Sequence, residues 1–278
     1  MRYRIAFIQN DSAAMERLAR DTPADDMTWL HLQMQLAFLR GDAKKLRSLS
    51  ETAVKQQGVN RNENAAHELG WHAAVESLMG EFPLARKLCR QAEDVGNESA
   101  LGMWACASAL AAAGEVAQAE ALAAKLDRLF PEDTFQQKVL LPMARSIIEN
   151  KRGNSLKAVD LLAPVTQYPN GAVSYHRGQA CLAAREYAKA AAEFEKVIDH
   201  RGWPEWELFA PLSQLGLAQA YALQGDKDES RKAYDVFFTT WRDADPHIPI
   251  LKQAKVEYAK LLQASAIKSP ELSALSMH

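Results

Sequence analysis

The chain is poor in most of what marks a specialised class of protein. Cysteine is scarce: Cys89, Cys106 and Cys181 are the only three in 278 residues, and none forms a C-x-x-C pair. That excludes a disulfide framework or a zinc ribbon. Each lies among apolar and alanine-rich neighbours, where cysteine behaves as a small hydrophobe. Net charge is also small, at -2, so the strong basic field that phosphate backbones require is missing. Short basic clusters such as Lys44, Lys45 and Arg47, or Arg86, Lys87 and Arg90, read as solvated helix faces. Nucleic acid is therefore not an expected partner. Long hydrophobic runs are absent too. The longest, 100–113, is alanine-rich, interrupted by Ser108 and flanked by Glu98 and Glu115. It is too short to cross a bilayer and reads as a buried helix. Met1-Arg2-Tyr3-Arg4 leads into an amphipathic segment without a signal-peptide apolar core. The expectation is a chain with no membrane insertion of its own.

Chemical motifs are equally sparse. No G-x-S-x-G, no glycine-rich phosphate loop, no H-R-D-x-x-x-x-N and no D-F-G occurs, so neither hydrolase nor kinase chemistry is expected. His200-Arg201-Gly202 lacks the aspartate of a catalytic loop and reads as a helix terminus. His67 and His72 superficially resemble the zinc motif H-E-x-x-H. They are five apart rather than four, about 140° around a helix, so they do not share a metal-binding face. Asp243, Asp245 and Glu257 do not have calcium-loop spacing. The expectation is no catalytic residue, no cofactor and no metal.

What the chain does have is a beat. Turn signals at Asn10, Gly41, Gly80, Gly114, Gly153, Arg185 and Gly225 follow one another at 31 to 40 residues. A small residue falls five positions after several of them: Ala85, Ala119, Ala158 and Ala190. Between the turns, helix formers dominate and apolar residues recur near every 3.6 positions. Met27, Leu30, Met34 and Phe38 form one such stripe; Ala191, Phe194 and Val197 form another. The spacing predicts seven helix pairs at 3–9 and 12–19, 24–40 and 43–57, 62–79 and 82–94, 98–113 and 116–129, 134–150 and 155–162, 172–184 and 187–199, 206–224 and 227–242. A last helix at 250–265 is expected to cap the array, followed by a flexible tail at 266–278. Residues 1–265 are read as one helical repeat domain. A hairpin of two helices cannot bury its apolar stripe alone, so neighbours must stack.

At these positions the chain resembles the tetratricopeptide repeat family. The residues that carry the resemblance are Gly114, Ala119 and Pro131 in the fourth pair, Gly178, Ala190 and Phe194 in the sixth, and Tyr221, Gly225 and Tyr234 in the seventh. Met15, Leu46 and Ser230 depart from the motif's alanine. The resemblance implies an all-α, right-handed superhelical solenoid with a C-terminal capping helix. A narrower likeness lies in 175–261, through Gly178-Gln179-Ala180, Ala190-Ala191-Ala192-Glu193-Phe194, Asp199-His200-Arg201-Gly202 and the stretch from Trp241 to Lys252. This region is similar to the C-terminal repeats of bacterial eukaryotic-like serine/threonine protein kinases, and related repeats follow winged-helix transcriptional regulators. The likeness implies the repeat portion of a longer signalling protein. It would be cytoplasmic by default, or extracytoplasmic if a membrane segment precedes the repeats.

In tetratricopeptide arrays the first helix of each pair lines the concave face. Carried onto this sequence, the inward positions are His31 and Gln35, His67, Trp104 and Ser108, Met143 and Ile147, Tyr175 and Gln179, and Leu215 and Gln219. The mixture of amides, aromatics and aliphatics suits an extended or helical peptide of a partner protein, or a second copy of the chain. Trp104 and Met143 also fit a place in the core between repeats. The function expected is a non-catalytic protein-interaction module. The sensor region of a winged-helix regulator and a helical-array enzyme stay open as alternatives.

Overall fold

The computed structural model describes residues 2–9, 11–23, 26–57, 63–96 and 98–266. Every regular element among them is helical. The pairs are α1 (Arg2–Ile8) and α2 (Ser12–Asp21), α3 (Met27–Leu39) and α4 (Ala43–Gln56), α5 (Glu63–Leu78) and α6 (Phe82–Asp94), α7 (Ala100–Ala112) and α8 (Val116–Leu129), α9 (Leu141–Lys151) and α10 (Ser155–Leu162), α11 (Gly171–Ala183) and α12 (Tyr187–Asp199), and α13 (Trp206–Gln224) and α14 (Lys227–Thr240). A single helix, α15 (Pro249–Ala266), follows. The turn expected at Asn10 and the tail beyond residue 266 lie outside the described residues.

The turns explain the beat. Gly41, Gly80, Gly114, Gly153 and Gly225 take φ of 70–88°, and Arg185 takes 62°. In each turn the next residue's N–H donates to the carbonyl five positions back, at 2.8–2.9 Å: Asp42 to Ala37, Glu81 to Glu76, Glu115 to Leu110, Asn154 to Glu149, Glu186 to Cys181 and Asp226 to Tyr221. This bond closes one helix and needs a left-handed residue just before the donor. Asp42 and Asp226 then cap the next helix, each carboxylate accepting from the backbone N–H three residues on. Five residues after the turn, Ala85, Ala119, Ala158 and Ala190 have no exposed surface. Ser230 is tolerated at the equivalent place because its hydroxyl donates to the Ala218 carbonyl on the facing helix at 2.8 Å.

One predicted helix is divided. Within 134–150, residues Gln136–Leu140 form a π turn and α9 begins only at Leu141. Pro142 supplies the reason. It has no N–H to give, its ring crowds the carbonyl four residues back, and the ladder widens to accommodate it.

The two helices of each pair pack on each other, and first helices stack in the order α5, α7, α9, α11, α13. The closest approach involves Gly70 on α5 and Gly102 on α7. A Cβ on Gly70 would sit 2.6 Å from the Gly102 carbonyl oxygen and 2.9 Å from its Cα. Neither is a flexible atom, so the helices would have to separate. Gly70→Ala should therefore destabilise the protein by about 1–3 kcal/mol despite the better helix propensity of alanine. Urea unfolding checks this; an unchanged or raised midpoint would contradict the close crossing.

The stacking also returns on itself. Helix α13 packs against α3, so the contacts run from α3 through α4 and α5, then along α7, α9 and α11 to α13, and back to α3. Arg4 donates to Glu207 at 3.2 Å, Phe7 lies 6.0 Å from the Trp206 ring, and Phe38 meets Trp241 edge-on at 6.0 Å. The segment between α14 and α15 crosses the turns of the second and third pairs. Asp245 N–H donates to the Gly41 carbonyl at 3.0 Å and Ile250 N–H to that of Met79 at 3.2 Å. Trp241, Ile248, Leu251 and Ala254 are buried there. The stretch from Trp241 to Ile250 thus does more than end the array: it fastens the last pair to the second and third.

Candidate functional site

The nine residues picked from the sequence all lie on first helices: His31 and Gln35 on α3, His67 on α5, Trp104 and Ser108 on α7, Met143 on α9, Tyr175 and Gln179 on α11, and Gln219 on α13. Their surroundings divide them. Met143 is buried in the main apolar cluster, and so is Tyr175, whose ring packs against Phe194 and Phe209. Gln219 is half-buried and donates to Glu257 of α15 at 2.9 Å, so the last helix engages it. Glu257 also accepts from the Tyr234 hydroxyl at 3.0 Å. Gln179 is half-buried, as is Trp104, while Ser108 is buried. The indole Nε1 of Trp104 and the hydroxyl of Ser108 have no hydrogen-bond partner among the described residues.

His31, Gln35 and His67 come together where the two ends of the array meet. His31 Nε2 lies 2.8 Å and 3.0 Å from the two carboxylate oxygens of buried Glu68, and its ring is 5.9 Å from that of Trp71. Burial holds the His67 imidazole below its ordinary pKa; Glu68 opposes that push and His31 adds to it. Gln35 accepts from Arg4, which also pairs with Glu207. Glu205 sits beside them in a left-handed conformation, φ 56°. Burial pushes its carboxyl above the usual range, against the Trp71 indole that donates to it and the charge of Arg4. Arg201 stacks its guanidinium 4.1 Å from the Phe7 ring centroid. Nearby on α11, burial holds His176 down to about 4, so it is neutral at physiological pH.

A second polar knot joins α4 to α5. Arg47 forks onto Glu76 with two bonds of 2.8 Å, and His72 Nε2 lies 3.1 Å from the same carboxylate. Glu76 has no exposed surface. His67 and His72, five apart on α5, are therefore engaged by different carboxylates, His72 by Glu76 and His67 electrostatically by Glu68. In this cluster Glu68, Glu76, Glu205 and Glu207 are each matched by a histidine, an arginine or an indole. It serves as a polar core that fixes how helices meet.

The sequence reads Arg47 as part of a solvated helix face, and the structure corrects this: its guanidinium forks onto a fully buried carboxylate. The sequence reading gives no role to the four carboxylates, to Arg4 or to Trp71. A signal existed. Glu68 and Glu76 stand on the same α5 stripe as Ala65, Ala66, Leu69, Ala73 and Val75, and Glu207 precedes Leu208 and Phe209. A charge inside an apolar stripe announces a buried pair. It does not say which distant residue completes it.

Among the described residues no helix is long and apolar enough to cross a membrane. Compared with known families and with curated proteins, the chain matches no family and no curated sequence.

Proposed function

We propose that this chain is a right-handed solenoid of tetratricopeptide-like helix pairs that acts without catalysis, holding a peptide segment of a partner protein on the face formed by its first helices. In this reading it is the C-terminal docking region of a bacterial serine/threonine kinase or of a relative of one. The observation that carries it is the pair of unpartnered polar atoms on α7. Trp104 Nε1 and Ser108 Oγ lie one helical turn apart and have no partner among the described residues. Polar atoms removed from water without a partner are costly, and proteins rarely leave them so. Both atoms have almost no accessible surface, so a peptide main chain, which offers acceptors and donors in alternation, reaches them as the side chains over α7 shift to admit it. The repeated turns support the same reading, since stacked hairpins offer a preformed surface that loses little entropy on binding.

Selection from a library of random linear peptides tests this directly. Peptides enriched on the wild-type chain should bind the Trp104→Phe, Ser108→Ala double variant at least about tenfold more weakly, the loss expected for one or two hydrogen bonds. Trp104→Phe also removes part of a ring that packs against both apolar clusters, so thermal unfolding is recorded for both proteins and binding is compared well below the transition of either. No enrichment, or equal binding to the two proteins, would remove the reading.

A further inference from the structure

Cys89 on α6 and Cys106 on α7 face each other where the third and fourth pairs meet. Both are buried in one apolar cluster with Ala85, Leu110 and Ala119. The Cys89 thiol donates to the Cys106 carbonyl oxygen across 3.8 Å, so the side chain of one cysteine reaches the backbone of the other. They also line the same groove, about 560 Å³ in volume, which runs between α6 and α8 with α7 as its floor. Arg86 and Arg90 stand at its edge. The third cysteine, Cys181, is buried on α11 in a different cluster. The chain thus has one juxtaposed dithiol beneath an open groove and one isolated thiol packed away from it.

We propose that Cys89 and Cys106 form a reversible intramolecular disulfide by exchange with a small aliphatic disulfide that enters this groove. Cys89 keeps 6% of its surface and Cys106 1%, so a disulfide entering the groove meets Cys89 first and exchange begins there, with the thiolate as the attacking species. Hydrogen bonding to Cys89, and then burial, push the Cys106 thiol above the ordinary cysteine value. The Cys89 thiolate attacks one sulfur of R–S–S–R, an S–S bond forms to Cys89, and R–S⁻ leaves and takes up a proton. Cys106 then gives up its proton and attacks the Cys89 sulfur, releasing the second R–SH. Two protein thiols are oxidised and one small disulfide is reduced to two thiols. The product staples the third pair to the fourth, along the wall of the groove. The inference is independent of which peptide the array holds.

The test uses the full chain, reduced and then equilibrated in glutathione buffers of increasing oxidised fraction. After acid quenching, free thiols are alkylated and peptides are mapped by mass spectrometry. The expected result is loss of two of the three alkylatable thiols in the monomer, a linked peptide joining Cys89 to Cys106, and full alkylation of Cys181. Cys181→Ser should give the same linked peptide, and Cys106→Ser should stop at a glutathione adduct on Cys89. If Cys106→Ser fails to fold, the Cys181→Ser protein still decides the matter. Three alkylatable thiols at every buffer ratio would overturn the proposal. So would links between chains, or an adduct on Cys181 forming as readily as the Cys89–Cys106 bond.

Discussion

Arg47→Ala is expected to cost about 3 kcal/mol near neutral pH, the low end for breaking a buried ion pair, because Arg47 itself is one-third exposed. The loss comes from what stays behind. Glu76 is fully buried, and without Arg47 only His72 answers its charge. In the intact protein burial raises the Glu76 carboxyl, but the bonds from Arg47 and His72 outweigh burial and hold it below the ordinary glutamate value. A carboxyl depressed by folding stabilises the fold above its unfolded pKa, and that contribution is lost as pH falls through the folded value. In the variant the upward push of burial meets only His72, so the carboxyl accepts a proton more readily. The deficit between wild type and Arg47→Ala should therefore shrink as pH is lowered to the ordinary glutamate pKa of about 4.3 and below. Urea midpoints for both proteins at neutral and acidic pH measure this. An equal deficit at both would mean that Arg47 acts through packing of its stem and not through the charge of Glu76.

Phe194→Ala should cost about 3–5 kcal/mol, the usual range for emptying a buried aromatic site. The geometry makes the upper half of that range the expected one. The Phe194 ring is fully buried and lies between two glycines on different helices. A Cβ on Gly178 of α11 would come within 2.6 Å of it, and one on Gly216 of α13 within 2.5 Å. Both neighbours are backbone atoms of stacked helices, which cannot move inward independently to fill the space. The same contacts predict coupling. Gly178→Ala overpacks the wild-type ring, yet its methyl would partly occupy the hole left by Phe194→Ala. The double variant should accordingly be more stable than the sum of the two single losses implies. Additive losses, or a Phe194→Ala cost under about 1 kcal/mol, would show that the ring does not wedge the two helices apart.

The helix positions are legible because two local rules agree at the four middle turns, from Gly80 to Arg185. A left-handed residue ends one helix, and a small residue five positions later lets the next lie against it. Even Arg185, which breaks the first rule by residue type, is placed by the second through Ala190. The π turn at Gln136–Leu140 has a sequence signal in Pro142, whose missing N–H is masked by the run of helix formers around it. The return of α13 onto α3 left no such trace. Its contacts join residues with no periodic relation, such as Arg4 with Glu207 or Gly41 with Asp245, and each residue looks ordinary in its own helix. The nine positions carried over from the tetratricopeptide resemblance all fall on first helices, but the resemblance could not show that α15 reaches Gln219 or that Glu68 receives His31. It places Tyr175 on the groove, where neighbouring helices bury it, and leaves Met143 between groove and core, of which burial fits the core.

The meeting of α3 with α13 has a consequence for synthesis. The Arg4–Glu207 contact spans 203 residues, and Phe38 must wait for Trp241. At about 5–20 residues per second the ribosome needs roughly 10–40 s to deliver the partners of the first helices. During that interval the apolar faces of α1 and α3 are uncovered while the middle pairs can already stack. The first helices of the array therefore stay uncovered longest, until α13 and the segment after α14 are made.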